Sequence, residues 1–318
     1  MAWQILVDLV GILNETRLLC SKNKKLIFFI VFFTLFFYSA IFLSALFSFK
    51  PLIVDCYSKL ISIAATSPST PEFYSLLSAL LTDLKLFVGL EWVFFILIYL
   101  ASLFFSIVTI LASAIASSSR NISIKNLLLK TLKSWKNPFV TYFFIFIFNL
   151  GLVIFLLYLP LLSLPLVTQS LPALRAVLAI LLEILFVGVN LYLAVVWNLS
   201  TVVSVLEDKG GIEALGRAAA IVKGMVLQCF LLNIICGVLS GGLFQMLRLM
   251  GVAHSTLLQV FIGLVMTNFI GLLKLFLIMA YTVLYCRRKE ALGEEIESLG
   301  DEQILVYTSV PLIAHNIP

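Results

Sequence analysis

The stretch SVLEDKGGIEALGRAAAIVKG, Ser204 to Gly224, sets three acids, three bases and four glycines between two long apolar runs. A phosphate-binding loop of the Walker type needs G-x-x-x-x-G-K-[ST] after a strand, whereas this segment follows an apolar run of membrane length. A calcium loop needs oxygen ligands at alternating positions, and here Glu207 and Asp208 are followed by Lys209, two glycines and Ile212. What fits is a turn. Glu207 and Asp208 end a span at the interface, and Gly210 and Gly211 admit backbone angles closed to other residues. A new helix starts near Gly211 with Ile212, Leu215, Ala219 and Val222 on its apolar face. Glu213 and Arg217, four apart with the acid first, are placed to pair on its polar side. Lys223 and Gly224 then turn the chain into the next span.

The composition around this stretch is that of a membrane protein. Hydrophobic residues make up 62% of the 318 and charged ones 12%, with a mean hydropathy of +1.14, well beyond the roughly half apolar and one-quarter charged of soluble domains. The five cysteines show neither zinc spacing nor a disulfide framework. The net charge of +5 gathers beside the ends of apolar segments and not in a basic groove, so nucleic acid is not an expected partner.

About 20 apolar residues cross a hydrocarbon core of about 30 Å. Six segments qualify: Leu26 to Phe49, Leu86 to Ser119, Phe139 to Leu159, Ala176 to Leu206, Met225 to Leu247, and Ser255 to Cys286. The first is too long for a signal peptide and lacks a small-residue cleavage site, so it reads as a retained span. The expected fold class is an all-α membrane protein with six transmembrane helices. Residues 1–289 form the six-span domain, and 290–318 form an acidic, flexible tail.

Orientation follows from Lys and Arg. Fifteen fall on one side, in clusters that include Lys22 to Lys25, Lys125 to Lys136, Lys209 to Lys223 and Arg287 to Lys289. Five fall on the other side: Lys50, Lys59, Lys85, Arg175 and Arg248. Both termini are therefore expected in the cytosol. The sequons at Asn14, Asn121 and Asn198 would then lie inside or within the membrane and carry no glycan.

Three segments on that inner side are amphipathic at helical period: Trp3 to Leu19, Asn121 to Lys136, and Gly211 to Lys223. Each leads into a span, so the chain reads as three units in series, each an amphipathic helix followed by a helical hairpin whose returning span is the longer. In the middle segment Ile124, Leu128, Leu132 and Trp135 form an apolar stripe, with Lys125, Lys130, Lys133 and Lys136 on the remaining face. That is the pattern of a helix lying among lipid headgroups. The connections on the opposite side are a long one from Lys50 to Lys85, turning at Ser67-Pro68-Ser69-Thr70-Pro71, and one from Pro160 to Pro172 broken by prolines.

The pattern V-x-x-V-L-E-D-x-x-G-x-x-A-L-x-R followed by K-G, carried by Val202, Val205, Leu206, Glu207, Asp208, Gly211, Ala214, Leu215, Arg217, Lys223 and Gly224, resembles the signature of a widespread six-span family. That family includes plant multi-pass proteins of unknown function. It is also similar to the membrane domain of some bacterial glycerophosphodiester phosphodiesterases. The plant likeness extends to Ser21 to Lys25, to Trp135-Lys136-Asn137-Pro138 and to Tyr281 to Cys286, and so covers most of the chain. The pattern usually has Ser where this chain has Ala218. The resemblance implies a fold and a topology; the phosphodiesterase chemistry belongs to a soluble domain that this chain lacks.

A charge in lipid is costly, so ionisable residues within spans are functional candidates. Glu91, beside Trp92, is placed to reach the interface. Glu183 and Lys274 have opposite charge but differ in depth by about 18 Å at 1.5 Å per residue, which favours separate structural roles over a relay. Asn149, Asn190, Asn198, Asn233 and Asn268 give each of the last four spans an amide for inter-helix adhesion. Gly237 and Gly241 form a G-x-x-x-G face suited to close helix contact. The two histidines, His254 and His315, sit near no clustered carboxylate or nucleophile, and no metal spacing or cofactor motif occurs. The expected protein is non-catalytic and needs no cofactor. It organises anionic lipids of the bilayer, or protein partners yet to be identified, at the cytosolic face. The alternative is a transporter or channel with a path built on Glu183, Lys274 and the amides. Cys20 and Cys286, beside basic clusters, have the setting of acylated cysteines.

Overall fold

The computed structural model describes residues 2–22, 24–117, 124–166, 172–252 and 255–293. Among them run nine helices: α1 (Ala2–Lys22), α2 (Lys24–Ala65), α3 (Pro71–Ser117), α4 (Ile124–Lys133), α5 (Lys136–Leu166), α6 (Pro172–Leu206), α7 (Gly211–Val222), α8 (Val226–Val252) and α9 (Thr256–Ala291). Six of these, α2, α3, α5, α6, α8 and α9, are long and apolar enough to cross a membrane. The order is a shorter helix and then two long ones, three times over, and in each unit the returning helix is the longer. The protein is an all-α membrane protein with three helix-plus-hairpin units.

The expected connection from Lys50 to Lys85 is corrected. It is not a loop: α2 continues to Ala65 and α3 begins at Pro71, so each helix runs far past the thickness of a bilayer. At 1.5 Å per residue, 42 residues span about 63 Å against a hydrocarbon core of about 30 Å. The turn lies at the expected prolines. Thr70 caps α3 by accepting the Phe73 N–H on its hydroxyl, and Pro71 takes the first helical position, where its missing N–H costs nothing. Prolines also fail to break α5, which continues to Leu166. His254, His315 and Asn121 lie outside the described residues, as does the tail from 294 onward.

The chain divides into two compact units. One is drawn from Met1–Phe28, Ser106–Val238 and Leu275–Pro318 and holds α1, α4 and α7. Its core is dense: Ile110, Leu111, Val195, Leu199, Val203, Ala214, Ala218, Cys229, Tyr281 and Tyr285 are wholly enclosed. Small and hydroxylated side chains, among them Ser106, Ser113, Ser200 and Ser204, are buried with them and let helices approach closely, as packing without a hydrophobic drive requires. On α1 the buried residues Leu9, Ile12, Thr16 and Leu19 recur every three to four positions, which keeps them on one helical face.

The other unit, Phe29–Phe105 with Leu239–Lys274, is held by aromatic contacts. Ile41, Ala101 and Phe105 form its buried cluster, and Phe94 and Phe104 pack on it. Gly263 of α9 lies against Phe42 of α2 so closely that a Cβ would meet the ring at 2.1 Å. Ser39 donates a hydrogen bond to Asn268 Oδ1 at 3.0 Å.

Candidate functional site

The α6–α7 turn is built around a buried carboxylate. Glu207 follows the last residue of α6 and its N–H still bonds Val203 O at 2.8 Å, which turns the side chain inward instead of into solvent. Only 2% of that side chain is exposed. Its Oε1 accepts from Tyr285 Oη at 2.8 Å and from Lys289 Nζ at 2.9 Å. Its Oε2 faces Arg217 Nε at 3.4 Å and Lys209 Nζ at 3.8 Å. Tyr285 and Lys289 are four apart on α9, so one helical face supplies both donors. Burial pushes the Glu207 carboxyl up, but hydrogen bonds from Lys289 and Tyr285, with the charges of Lys289 and Arg217, outweigh it. The group is held below the usual carboxylate range.

The expected pair of Glu213 with Arg217 is corrected. Arg217 turns to Glu207, and the Glu213 carboxylate, 69% exposed, lies 3.7 Å from Lys209 instead. An enclosed carboxylate has no water to replace a missing cation, whereas an exposed one does.

A second set of contacts fixes the backbone of the turn. Asp208 adopts a left-handed φ of 54° and Gly211 a φ of 61°. Asn137, on the first turn of α5, donates through Nδ2 to Asp208 O at 2.7 Å and to Asp208 Oδ1 at 2.6 Å. The Gly211 N–H is received by Thr141 Oγ1 at 2.9 Å. A Cβ on Gly211 would meet the Phe144 ring at 3.1 Å and Val140 at 3.2 Å. Glycine at 211 thus answers both the backbone angle and the close approach of α5.

Of the other motif residues, Ala214 and Ala218 are wholly buried and Lys223 is exposed. The buried face of α7 is Ala214, Ala218, Ile221 and Val222, while Ile212 is 64% exposed. Of the expected face, Val222 is buried, Leu215 and Ala219 are half-buried and Ile212 is exposed; the face turns toward Ala214 and Ala218, two alanines stacked a turn apart that let α7 sit tightly on its neighbours. Gly224 lies in the expected turn between α7 and α8, and a further reason for glycine there is steric. The Arg288 guanidinium occupies the space of its absent side chain, 2.2 Å from where a Cβ would stand.

Lys274 Nζ donates to Ser102 Oγ, and the Glu183 side chain lies outside the described residues. Glu91 and Trp92 are exposed. Three of the five amides bridge helices: Asn198 donates to Asn233 at 3.3 Å, Asn233 donates to the Tyr281 hydroxyl at 2.8 Å, and Asn268 receives Ser39. Asn190 is satisfied by Phe186 O of its own helix, and Asn149 is exposed. The G-x-x-x-G face is corrected. Gly237 and Gly241 are exposed and a Cβ on either would have nothing within 4 Å; the close glycine contact is at Gly263 instead.

On α4, Leu127 and Thr131 are buried and Ile124 and Leu128 partly so, while Leu129 and Leu132, and Trp135 just beyond its end, are exposed. The expected single stripe is therefore split between protein and surroundings. Lys125, Lys133 and Lys136 are exposed; Lys130 is half-buried, and that burial pushes its ammonium down. Cys286 is 8% exposed, and the half-buried Cys20 lies 3.7 Å from the Met279 sulfur.

The sequence reading missed Tyr285, Lys289 and Asn137 as parts of the Glu207 turn. The available signal was a hydrogen-bonding phenol and an ammonium four residues apart near the end of the last helix. Among the described residues no group of three His, Cys, Asp or Glu side chains is placed to hold a metal ion. No curated protein and no solved structure matches the chain. A model of a domain of unknown function, DUF8558, matches residues 3–313, and the chain belongs to that family.

Proposed function

We propose that this is a non-catalytic multi-pass membrane protein that gathers anionic lipid headgroups along a cytosolic face formed by α1, α4 and α7. The observation that carries this reading is the double-faced character of α4. Leu127 and Thr131 tie the helix to the protein, while Leu129 and Leu132 are exposed beside Lys125 and Lys133, with Trp135 and Lys136 exposed just beyond its end. Exposed leucine and tryptophan next to lysine suit the boundary of a bilayer, where rings and chains enter the acyl region and ammonium groups meet phosphate. The basic flanks support the cytosolic placement, because that leaflet carries the anionic lipids. The Glu207 cluster supports a structural part for the family motif: its three cations and phenol converge on one carboxylate that they hold charged, fixing α7 to α9. The amides that pair with one another between helices fit adhesion better than a solute path.

The test is lipid recovery. The full chain is purified in mild detergent from membranes of known composition, and bound phosphatidylserine and phosphoinositides are measured against phosphatidylcholine. Enrichment of the anionic lipids is expected, falling about fivefold for each of Lys125→Gln, Lys133→Gln and Lys136→Gln, the factor equivalent to about 1 kcal/mol per basic residue. Unchanged recovery in the triple variant would remove the proposal.

A further inference from the structure

We infer that the hairpin formed by the ends of α2 and α3 is a pairing surface for a second copy of this chain. Lys50 Nζ donates to Thr256 Oγ1 at 3.1 Å and to Gln259 at 3.4 Å, so the start of α9 is level with Lys50. Beyond that level α2 continues for fifteen residues to Ala65 and α3 returns from Pro71, a projection of about 22 Å at 1.5 Å per residue. The charge-free part of α2 ends at Phe49 and that of α3 begins at Trp92. Lys50, Asp55, Lys59, Glu72, Asp83, Lys85 and Glu91 lie on the projection, which places it outside the hydrocarbon.

The two arms pack through Leu52, Cys56, Lys59 and Ile63 on α2 and Phe73, Leu80, Asp83 and Phe87 on α3, all buried or half-buried. Lys59 pairs with Asp83, and Phe49 packs on Phe87 and Phe94 with ring centroids 5.1 and 5.5 Å apart. Each arm carries a second apolar row that this packing leaves exposed. On α2 it is Ile53, Tyr57, Leu60 and Ala64; on α3 it is Leu77, Leu81, Leu84 and Val88. The spacings alternate three and four, the repeat of helices that pair along a seam.

At about 100° per residue each row lies about 100° round from its own packed face. Because the arms are antiparallel, the two rows turn to the same side of the hairpin. The register set by the inter-arm contacts puts Ile53 level with Val88, Tyr57 with Leu84, Leu60 with Leu81, and Ala64 with Leu77. The opposite side carries Asp55, Ser58, Ser62, Glu72 and Ser75. Val54, Ile61 and Leu86 are exposed singly on the rest of the projection, whereas the paired rows make an apolar surface continuous across both arms, and such a surface is covered in its working state.

The occupant that fits is another copy. Two chains in one membrane share one possible twofold axis, the membrane normal, and rotation about it sets α2 of each copy against α3 of the other. Every neighbour in the resulting four-helix bundle is antiparallel, as in up-down bundles. The seam has no charge on it, so self-pairing meets no like-charge repulsion. Covering both rows removes roughly 600 Å² per copy, about 1,200 Å² in total, at the lower edge of specific interfaces.

The experiment uses the full chain in mild detergent and in reconstituted bilayers, with particle mass read by light scattering and, in bilayers, proximity by energy transfer between labelled copies. A dimer is expected. The double variant L60E/L81E is expected to lower the dimer fraction at least tenfold with its helical circular dichroism retained, and S58E/S75E on the polar side to leave it unchanged. Should L60E/L81E fold poorly, L60C/L81C in the intact protein is expected to give a covalent dimer under mild oxidation, and S58C/S75C none. A monomeric wild-type chain, a dimer that survives L60E/L81E, or a different protein held on the hairpin in place of the second copy would each overturn the inference.

Discussion

Lys289 Nζ lies 2.9 Å from Glu207 Oε1 with 6% and 2% of the two side chains exposed, so a buried ion pair joins the α6–α7 turn to α9. Removing Glu207 takes from the buried Lys289 its 2.9 Å carboxylate, at a cost of about 3–5 kcal/mol, while removing Lys289 leaves Glu207 the longer contacts to Arg217 and Lys209 and costs less. Glu207→Leu is expected to lower the unfolding temperature sharply in detergent, and Lys289→Met to lower it less. The double variant, with no charge left alone, is expected to recover much of that loss. A double variant no better than the worse single one would contradict the pairing.

The same carboxylate sets a pH dependence. Its folded pKa is depressed, so its stabilising contribution is full above the unfolded value of about 4.3 and is lost as the pH falls through the lower folded value. The unfolding temperature of the wild-type chain is expected to hold between about pH 7 and pH 5 and to fall below about pH 4. Glu207→Gln is expected to start lower and to show less of that acid-side fall, which a thermal melt series checks.

Glycine substitutions separate the expected helix contact from the observed one. Gly263→Ala sets a Cβ against the Phe42 ring, and a forced shift in a packed contact costs about 1–3 kcal/mol. Gly237→Ala and Gly241→Ala meet nothing within 4 Å and are expected to be neutral or slightly stabilising through helix propensity. Melting temperatures of the three variants decide between the two faces.

How far the sequence carried the reading depends on the reach of the interaction involved. Span number, helix order and the turn at Ser67 to Pro71 rest on local apolar length and local proline and threonine chemistry, and these were legible. The hairpin beyond Lys50 is not, because its scattered charges and serines have no apolar run to mark a helix, whereas the arms bond their hydroxyls within their own helices, Ser62 to Ser58 O and Thr82 to Ser78 O, and pair Lys59 with Asp83 between them. In the site, Glu207 and Arg217 were visible as a motif. Their mutual pairing depends on where α9 places Tyr285 and Lys289, about 80 positions further along the chain, and a motif of local spacing contains no term for that. The hinge shows the same division: the glycines were legible, but Asn137 and Thr141, which hold the hinge, come from another helix.

The last prediction concerns the amides. Asn233 joins three helices, receiving Asn198 of α6 and donating to Tyr281 of α9, and it is 9% exposed. Hydrogen bonds between membrane helices contribute about 0.6 kcal/mol each on average, so Asn233→Leu is expected to cost about 1–2 kcal/mol. Tyr281→Phe removes the acceptor and leaves the Asn233 amide N–H buried without it, and is expected to cost at least as much as one such bond. Asn149 is exposed, and Asn149→Leu is expected to change little or to stabilise, since an amide facing lipid gives way to an apolar side chain. Unfolding of the three variants in the same detergent is the measurement. Equal losses at Asn149 and Asn233 would show that both amides work through groups other than these partners.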